Sequence, residues 1–256
     1  MPLEIITIPC RADNYAFLVH DPDTGETAVV DVPEAAPIEA ELDARDWRLD
    51  DILLTHHHDD HVAGVAELRE IYPGVRVTGA AADAHRLPPL DREVAEGDTV
   101  TIGAEAGEVI DVSGHTVGHI AFHFPASAVA FTGDSLMALG CGRLFEGTAP
   151  MMWDSLSKLA ALPDDTLICS GHEYTLSNAA FAITIEPDNP ALVARKAQVE
   201  AEREKGQFTV PSTLASEKAT NPFLRAGLAE VKEALNMVGA PDSEVFAEIR
   251  RRKDAF

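Results

Sequence analysis

Short apolar runs of strand length follow one another through the first two thirds of the chain, separated by polar segments rich in Gly, Pro and Asp. From residue 3 to about residue 170, a few stretches with the apolar spacing of helices lie between these runs. Turn-forming sequences at residues 21–25, 73–74 and 96–98 separate neighbouring runs. The pattern predicts an α/β domain that contains antiparallel hairpins.

The spacing of apolar residues becomes helical in the last third of the chain. A helix is predicted from Asn189 to Gly206, because asparagine followed by proline is typical of a helix start and glycine of a helix end. A second helix is predicted from Asn221 to Gly239, and a third ends in the basic segment 250–253. The positions expected to face inward are Leu224, Leu228, Val231, Leu235 and Val238 in the second helix, and Val245, Phe246 and Ile249 in the third.

The length of 256 residues and a hydrophobic content of 46% allow a large core, in one big domain or one domain with a small appendage. The change from strand-length apolar runs to helical spacing marks the boundary between two domains. We predict a first, α/β domain over residues 1–172 and a small α-helical domain over residues 173–256.

One polar segment stands out because it follows an apolar run directly: residues 55–61 read Thr-His-His-His-Asp-Asp-His. Side chains of an extended segment alternate, so His56 and His58 can point the same way. A helix that begins near His61 would direct Asp60 and His61 elsewhere. Nitrogen and oxygen donors suit zinc, and also iron and manganese. The segment therefore predicts two groups of metal ligands, and the alternative is a histidine-rich polar loop.

The same local context recurs three times downstream. His115, Asp134 and His172 each follow an apolar run and a small residue. Strand ends on one side of a sheet converge on one cleft, where functional residues concentrate. Any one of the three would more often be a structural residue than a ligand. Together with residues 55–61 they predict a shared metal centre.

The charge balance limits the classes of partner. Forty-three acidic and twenty basic residues give a formal net charge of -23, which repels nucleic acids and anionic membranes. The first residues lack the basic start and apolar stretch of a signal peptide, and no apolar segment has the length to span a bilayer. We expect no nucleic-acid or membrane partner, a cytoplasmic location and a monomer.

The three cysteines, Cys10, Cys141 and Cys169, form no close pair, and we predict that all are reduced thiols. Cys141 lies in the sequence Gly-Cys-Gly and could act as a nucleophile, but the favoured interpretation is that it is a small packed residue. The basic segment 250–253 has two interpretations: complementing the dipole at a helix end, or forming a local cationic patch for an anionic ligand.

These motifs resemble the metallo-β-lactamase superfamily and, within it, the hydroxyacylglutathione hydrolase family, also called glyoxalase II. The ligand order matches the superfamily, and the helical tail with its basic end resembles the family. The matching segments span nearly the whole chain: residues 55–61, 114–116, 131–134, 140–143, 145–148, 171–175, 221–225 and 250–254.

The resemblance implies an αββα sandwich, with two mixed sheets between helices, followed by a helical glutathione-binding domain. One metal would be held by His56, His58 and His115, and the other by Asp60, His61 and His172. Asp134 would bridge the two ions, and His57 and Asp59 would not be ligands. The resemblance places the catalytic roles on Asp60, His115 and Asp134. We expect two divalent ions, zinc before iron or manganese.

The activity implied is hydrolysis of S-(2-hydroxyacyl)glutathione thioesters, such as S-lactoylglutathione to D-lactate and glutathione, the second step of methylglyoxal detoxification. The resemblance assigns binding of the anionic glutathione to Arg143, Tyr174, Arg250 and Lys253. This chain departs from the family at Arg143, usually a lysine, and at Phe145, usually a tyrosine. Arginine keeps the charge, whereas Phe145 removes a hydroxyl and should weaken glutathione binding by about 0.5 to 1.5 kcal/mol if that contact is used.

The donor types alone, apart from any resemblance to a family, indicate how hydrolysis can proceed. Two bound cations can generate hydroxide at neutral pH and polarise a carbonyl, so no serine or cysteine nucleophile is needed. His119 and Asp59 are expected to orient the ligands. Three alternatives stay open: an oxidoreductase of the persulfide dioxygenase type with one iron, a hydrolase of lactones or β-lactams, and a metal-binding scaffold without turnover.

Overall fold

The computed structural model describes all residues, 1–256. The chain divides into two compact units. The first comprises residues 1–111 and 117–133, and the second comprises residues 112–116 and 134–256.

A mixed sheet of six strands carries the N-terminal part of the first unit. Its strands in chain order are β1 (Glu4–Cys10), β2 (Asn14–His20), β3 (Thr27–Val30), β4 (Asp51–Leu53), β5 (Arg76–Ala80) and β6 (Arg92–Val94). The first three strands pair antiparallel, whereas β3 to β6 pair parallel, with Val30 opposite Leu53 and Leu53 opposite Thr78. The carboxyl ends of β3 and β4 therefore lie side by side.

A second group of antiparallel strands completes the first unit. These strands are β7 (Thr99–Ile102), β8 (Glu105–Asp111), β9 (Ile120–Phe124) and β10 (Val129–Gly133), paired in that order. Phe17 of β2 and Phe131 of β10 have ring centroids 5.6 Å apart, and Phe131 also meets Phe124 at 6.2 Å. The aromatic rings thus fill the space between the two layers of strands.

Helices cover the other face of the first sheet. They are α1 (Ala35–Arg45), α2 (Asp59–Val62) and α3 (Val65–Ile71), with a single 3₁₀ turn at Ala81–Asp83. Ile38 and Leu42 of α1 and Leu68 of α3 are completely buried and pack with strand residues such as Ile52. Burial of these side chains holds the helices on the sheet.

The second unit is mainly helical. Its helices are α4 (Ala149–Ala160), α5 (Thr175–Ile185), α6 (Pro190–Glu204), α7 (Leu214–Thr220), α8 (Ala229–Ala234) and α9 (Asp242–Asp254). Its strands are a hairpin of β11 (Leu136–Met137) and β12 (Gly140–Cys141), and an antiparallel pair of β13 (Leu167–Ser170) and β14 (Ser212–Thr213). The buried ring of Phe223 stacks on Phe181 and meets Phe246 edge to face, and these two rings are also buried.

The structure confirms the predicted α/β class, the run of strands to about residue 170 and two of the three helices. Asn189 caps α6 by accepting hydrogen bonds from the amides of Ala191 and Leu192. Helix α9 contains the basic segment, with Val245, Phe246 and Ile249 completely buried.

The single helix predicted from Asn221 to Gly239 is wrong in its first half. Residues 222–228 form turns, and only Ala229–Ala234 are helical. The side chain of Asn221 accepts a hydrogen bond from the amide of Phe223 at 3.0 Å, a local bond that competes with helix formation. Leu228 and Val238, expected to face inward, are 39% and 75% exposed.

None of the helices combines the length and the apolar character that a membrane span needs. All three cysteines are buried and free.

Candidate metal centre

The segment that carries four of the expected ligands begins where β4 ends. The amide of Leu54 still donates to the carbonyl of Thr78, and Thr55 then turns its amide and hydroxyl to the carboxylate of Asp31, both at 2.8 Å. This brings Nε2 of His56 to 3.1 Å from Nδ1 of His58. Two ligands of one zinc ion lie about 3.3 Å apart when each is about 2.0–2.1 Å from the metal. The separation therefore suits a shared cation.

Asp60 and His61 lie on the short helix α2. Nε2 of His61 is 3.9 Å from Oδ2 of Asp60, and the rings of His56 and His61 have centroids 4.1 Å apart. The amide of Asn14 donates to Oδ2 of Asp60 at 3.1 Å, which holds that carboxylate in place. All four expected donors of this segment thus gather within the first unit.

Asp31 is a functional residue that the sequence reasoning missed. Its Oδ2 is 2.7 Å from Nδ1 of His61, and Asp31, His56 and His61 form one compact group of possible ligands. A carboxylate at Nδ1 keeps the proton there and directs the lone pair of the neutral ring to Nε2. Asp31 directly follows the apolar run 28–30 and lacks the small residue that precedes His115, Asp134 and His172, so the local pattern did not select it.

The two residues expected to orient the ligands differ in outcome. His119 is completely buried and stacks on His56, with ring centroids 4.6 Å apart and planes 13° apart. The carboxylate of Asp59 is 84% exposed and pairs with Arg11 at 2.9 Å. Asp59 therefore faces away from the ligands, and the orienting carboxylate is that of Asp31.

The second unit gathers the other three expected ligands. Oδ2 of Asp134 lies 3.5 Å from Nε2 of His115 and 3.3 Å from Nε2 of His172. Nδ1 of His115 donates to the carbonyl of Arg143 at 2.8 Å, so the neutral ring presents its lone pair at Nε2. A lone pair facing a carboxylate is repulsive unless a proton or a metal cation lies between them. The donor set of His115, His172 and Asp134 therefore suits a metal cation.

A glycine lets the chain pass close behind this group. A Cβ atom added to Gly142 would lie 1.9 Å from the carbonyl oxygen of Asp134 and 2.9 Å from Nδ1 of His115. Only a residue without a side chain allows that approach. The Gly-Cys-Gly sequence thus serves packing behind the ligands, next to a cysteine that is not activated: burial raises the pKa of the Cys141 thiol to about 11.

Two of the expected glutathione-binding cations, Arg250 and Arg143, share the carboxylate of Asp254, and the third, Lys253, bonds to Ser177. The guanidinium of Arg250 donates to Oδ1 of Asp254 at 2.8 and 3.0 Å and to the carbonyl of Cys141 at 3.0 Å. Nε of Arg143 lies 3.6 Å from the same Asp254 oxygen. Lys253 donates to the carbonyl and hydroxyl of Ser177, both at 3.3 Å. Arg250 is buried, whereas 60% of the Arg143 side chain is exposed.

The neighbouring arginines of α9 have a different task. Arg251 and Arg252 both donate to the carboxylate of Glu248, and these bonds lower the pKa of Glu248 to about 2. They neutralise a carboxylate on their own helix. Within the basic segment, the cations next to Asp254 and Ser177 are therefore Arg250 and Lys253 alone.

Two exposed aromatic rings pack on the ligands of the second unit. Tyr174 stacks on His172, with centroids 4.6 Å apart and planes 7° apart, and Phe145 meets the edge of His115 at 5.2 Å. The guanidinium of Arg143 lies 5.9 Å from the centre of the Phe145 ring. Tyr174 and Phe145 are 39% and 61% exposed, so both present apolar area beside the donors.

Comparison with known proteins gives the family of this fold and site. The family model "Metallo-beta-lactamase superfamily" matches residues 12–172, and "Hydroxyacylglutathione hydrolase C-terminus" matches residues 173–256. A protein of Cereibacter sphaeroides named hydroxyacylglutathione hydrolase is 68% identical over 256 residues, which cover 100% of both chains. The chain belongs to the hydroxyacylglutathione hydrolase family.

Further relatives agree with this membership. The hydroxyacylglutathione hydrolase of Ruegeria pomeroyi is 63% identical, again over 100% of both chains. Among solved structures, the BLEG-1 B3 metallo-beta-lactamase aligns with a TM-score of 0.67 at 22% identity, over 86% of this chain and 99% of that one. The fold is therefore that of the metallo-β-lactamases, with a C-terminal helical domain.

The two family models meet between residues 172 and 173, whereas the compact units of the structure divide between residues 133 and 134. The division into domains of residues 1–172 and 173–256 stays a prediction, which limited proteolysis can test.

Proposed function

We propose that the protein hydrolyses S-(2-hydroxyacyl)glutathione thioesters, and S-lactoylglutathione in particular, to D-lactate and glutathione. This reaction would be the second step of methylglyoxal detoxification. The observation that carries the proposal is identity of 68% over the whole chain to a protein named hydroxyacylglutathione hydrolase, together with the histidines and carboxylates after the strand ends. No feature of the structure favours the oxidoreductase or scaffold alternatives.

We propose that His56, His58 and His115 hold one divalent ion and that Asp60, His61 and His172 hold the other, with Asp134 contacting both. The support is the donor chemistry: imidazole nitrogens and carboxylate oxygens suit zinc, iron and manganese. The spacing of 3.1 to 3.9 Å between neighbouring donors adds support, because it is near the distance of about 3.3 Å between ligands of one ion. We propose zinc as the native metal.

Such ions, when bound, lower the pKa of water to about 7 and polarise a carbonyl. The residues of the chain supply the remaining requirements. The carboxylate of Asp134 accepts a hydrogen bond from the attacking water and aligns it with the thioester carbon. The water loses one proton to solvent and its oxygen forms a C–O bond, while the C–S bond breaks with its electron pair on sulfur. The thiolate of glutathione leaves with little need of a general acid, because thiols are more acidic than alcohols.

We propose that the glutathione carboxylates are bound by Arg143, Tyr174, Arg250 and Lys253. Support comes from the network around Asp254, which collects positive groups in a chain of net charge -23. Arg250 is buried, so it would act by its field and by holding Asp254 and Cys141 in place, whereas the exposed Arg143 can reach a ligand directly.

We also propose a cytoplasmic location and a monomer without nucleic-acid or membrane partners. The support is three free, buried cysteines, which suit a reducing compartment, and the acidic composition.

The test is a thiol-release assay with purified, zinc-loaded protein. S-lactoylglutathione should be cleaved, and a lactoyl thioester of N-acetylcysteamine, which lacks the carboxylates, should be a poor substrate. Lys253→Ala should raise the Michaelis constant for the glutathione thioester selectively. Arg251→Ala is the matched control, since Arg251 neutralises Glu248.

Absence of glutathione thioester cleavage by the loaded protein would contradict the proposal. Oxygen consumption in place of hydrolysis would indicate the oxidoreductase alternative. Equal cleavage of both thioesters would contradict the role of the cations in binding glutathione.

A further inference from the structure

His57 is the one histidine between residues 56 and 61 that the expected ligand set leaves without a role. In the structure, its Nδ1 lies 3.2 Å from Oδ2 of Asp83. Asp83 ends the 3₁₀ turn at Ala81–Asp83 and is only 1% exposed. A buried carboxylate is destabilising unless it is paired, so its partners indicate its task.

Arg86 provides the charge that balances Asp83. Its guanidinium donates to Oδ1 of Asp83 at 2.6 and 3.2 Å, and its NH2 group also donates to the carbonyl of Val117 at 3.0 Å. Asp83 and Arg86 together therefore connect the loop after β4, through His57, with the segment that leads into β9.

That segment also touches Asp83 directly. Gly118 has a φ of +100°, and a Cβ atom there would lie 2.7 Å from Cγ and 2.8 Å from Oδ1 of Asp83. The backbone conformation and the close approach both require glycine. Residues 117–118 are thus held by two contacts: Gly118 packs against the carboxylate of Asp83, and the carbonyl of Val117 accepts a hydrogen bond from Arg86.

The residue after Gly118, His119, contacts the expected metal ligand His56. His119 follows Gly118, is completely buried and stacks on His56. The amide of Ile120 donates a hydrogen bond to the carbonyl of Thr55 at 3.0 Å, which joins this segment to the residue before His56. The path from His57 through Asp83, Gly118 and His119 therefore ends on the ring of His56, whose Nε2 faces His58.

We propose that Asp83 is a positioning residue that sets the orientation of His56 and His58 as metal ligands, with His57 and Arg86 as its partners. The inference rests on the metal centre proposed above. Ligands held in place before the ion arrives need no ordering when it binds, and residues that orient ligands typically change metal affinity 10- to 100-fold when replaced. Asp83 acts through His57 and His119, so we expect the lower end of that range.

The experiment compares metal retention with stability in three variants. Asp83→Asn removes the charge, and His57→Leu removes one partner. Asp51→Asn is the matched control: Asp51 is also buried, at 5% exposure, and also pairs with an arginine, Arg76, at 2.6 and 2.8 Å, but it lies at the opposite end of β4. Zinc per chain and zinc transfer to a chromophoric chelator are measured beside the thermal midpoint.

Asp83→Asn and His57→Leu should lower zinc affinity about tenfold, whereas Asp51→Asn should lose thermal stability with wild-type zinc affinity. If Asp83→Asn does not fold, His57→Leu decides, because its side chain is partly exposed. Wild-type zinc affinity in Asp83→Asn and His57→Leu would overturn the inference and leave the proposed function intact. A wild-type protein that binds no metal would overturn the proposed function and this inference with it.

Discussion

Oδ2 of Asp31 lies 2.7 Å from Nδ1 of His61, and both side chains are buried. The same carboxylate accepts hydrogen bonds from the amide and hydroxyl of Thr55, the residue before His56. Asp31 therefore fixes the ring of one expected ligand and the backbone that leads to another. A carboxylate in this position also makes the imidazole a better donor to a metal.

Replacement of Asp31 should weaken the metal centre more than it weakens the fold. Asp31→Asn keeps the shape but removes the charge behind His61, and we expect a loss of zinc affinity of about 10- to 100-fold, measured by chelator competition. Asp21→Asn is a suitable control. Asp21 is equally buried, but its carboxylate accepts hydrogen bonds from backbone amides at a turn and not from an expected metal ligand. Unchanged zinc affinity in Asp31→Asn would refute this role.

The sequence predicted the part of the site that a local pattern encodes. His56, His58, Asp60 and His61 stand in one segment, and each of the other expected ligands follows its own apolar run. Asp31 was missed because its role depends on parallel pairing, with Val30 opposite Leu53, between strands twenty residues apart. Asp83 was missed for the same reason: apart from the nearby Arg86, its contacts are with His57 and Gly118, and no local spacing connects it with them.

The helical tail shows where apolar spacing misleads. The spacing in α9 agrees with buried Val245, Phe246 and Ile249. The equally regular spacing from Leu224 to Val238 does not form one helix, because the side chain of Asn221 is used in the turn, where its Nδ2 donates to the carbonyls of Met137 and Gly140. Those tertiary hydrogen bonds outweigh the helical pattern.

Adding a hydroxyl at position 145 should strengthen glutathione binding. Phe145 is 61% exposed beside Arg143, so a tyrosine would fit without disturbing the core. We expect Phe145→Tyr to gain about 0.5 to 1.5 kcal/mol, which is about a 2- to 13-fold lower dissociation constant. Calorimetric titration with glutathione measures it, with Phe208→Tyr as the exposed control. An equal change in both variants would contradict the prediction.

Substrate affinity should fall at alkaline pH. Burial, with the nearby positive charge of Arg250, lowers the pKa of Lys253 to about 8. The ammonium that would bind a carboxylate is thus present below pH 8 and lost above it. The Michaelis constant should rise above pH 8 in the wild type and rise less in Lys253→Arg, which stays charged. Identical pH profiles in the two proteins would argue against Lys253 as a ligand of the substrate.

Acid should destabilise the first unit through His123. This side chain of β9 is 5% exposed, neither ring nitrogen has a hydrogen-bond partner, and burial lowers its pKa, partly opposed by Glu108 and Glu105. The unfolded chain takes up the proton near pH 6.5, whereas the folded chain resists it, so stability is lost as the pH falls below 6.5.

His123→Leu should therefore narrow the difference between the thermal midpoints at pH 7.5 and pH 5.5. His85→Leu serves as the control, because His85 is not buried. The same difference in the wild type and in His123→Leu would show that other groups cause the loss of stability.

The central claim is hydrolysis at two ions that share Asp134, and the most direct measurement is thiol release from S-lactoylglutathione by protein of known metal content. The wild type should carry two ions per chain and cleave the thioester, and Asp134→Asn should be slower by about a hundredfold or more. Full activity with a single ion per chain, or equal rates in the wild type and Asp134→Asn, would contradict the account.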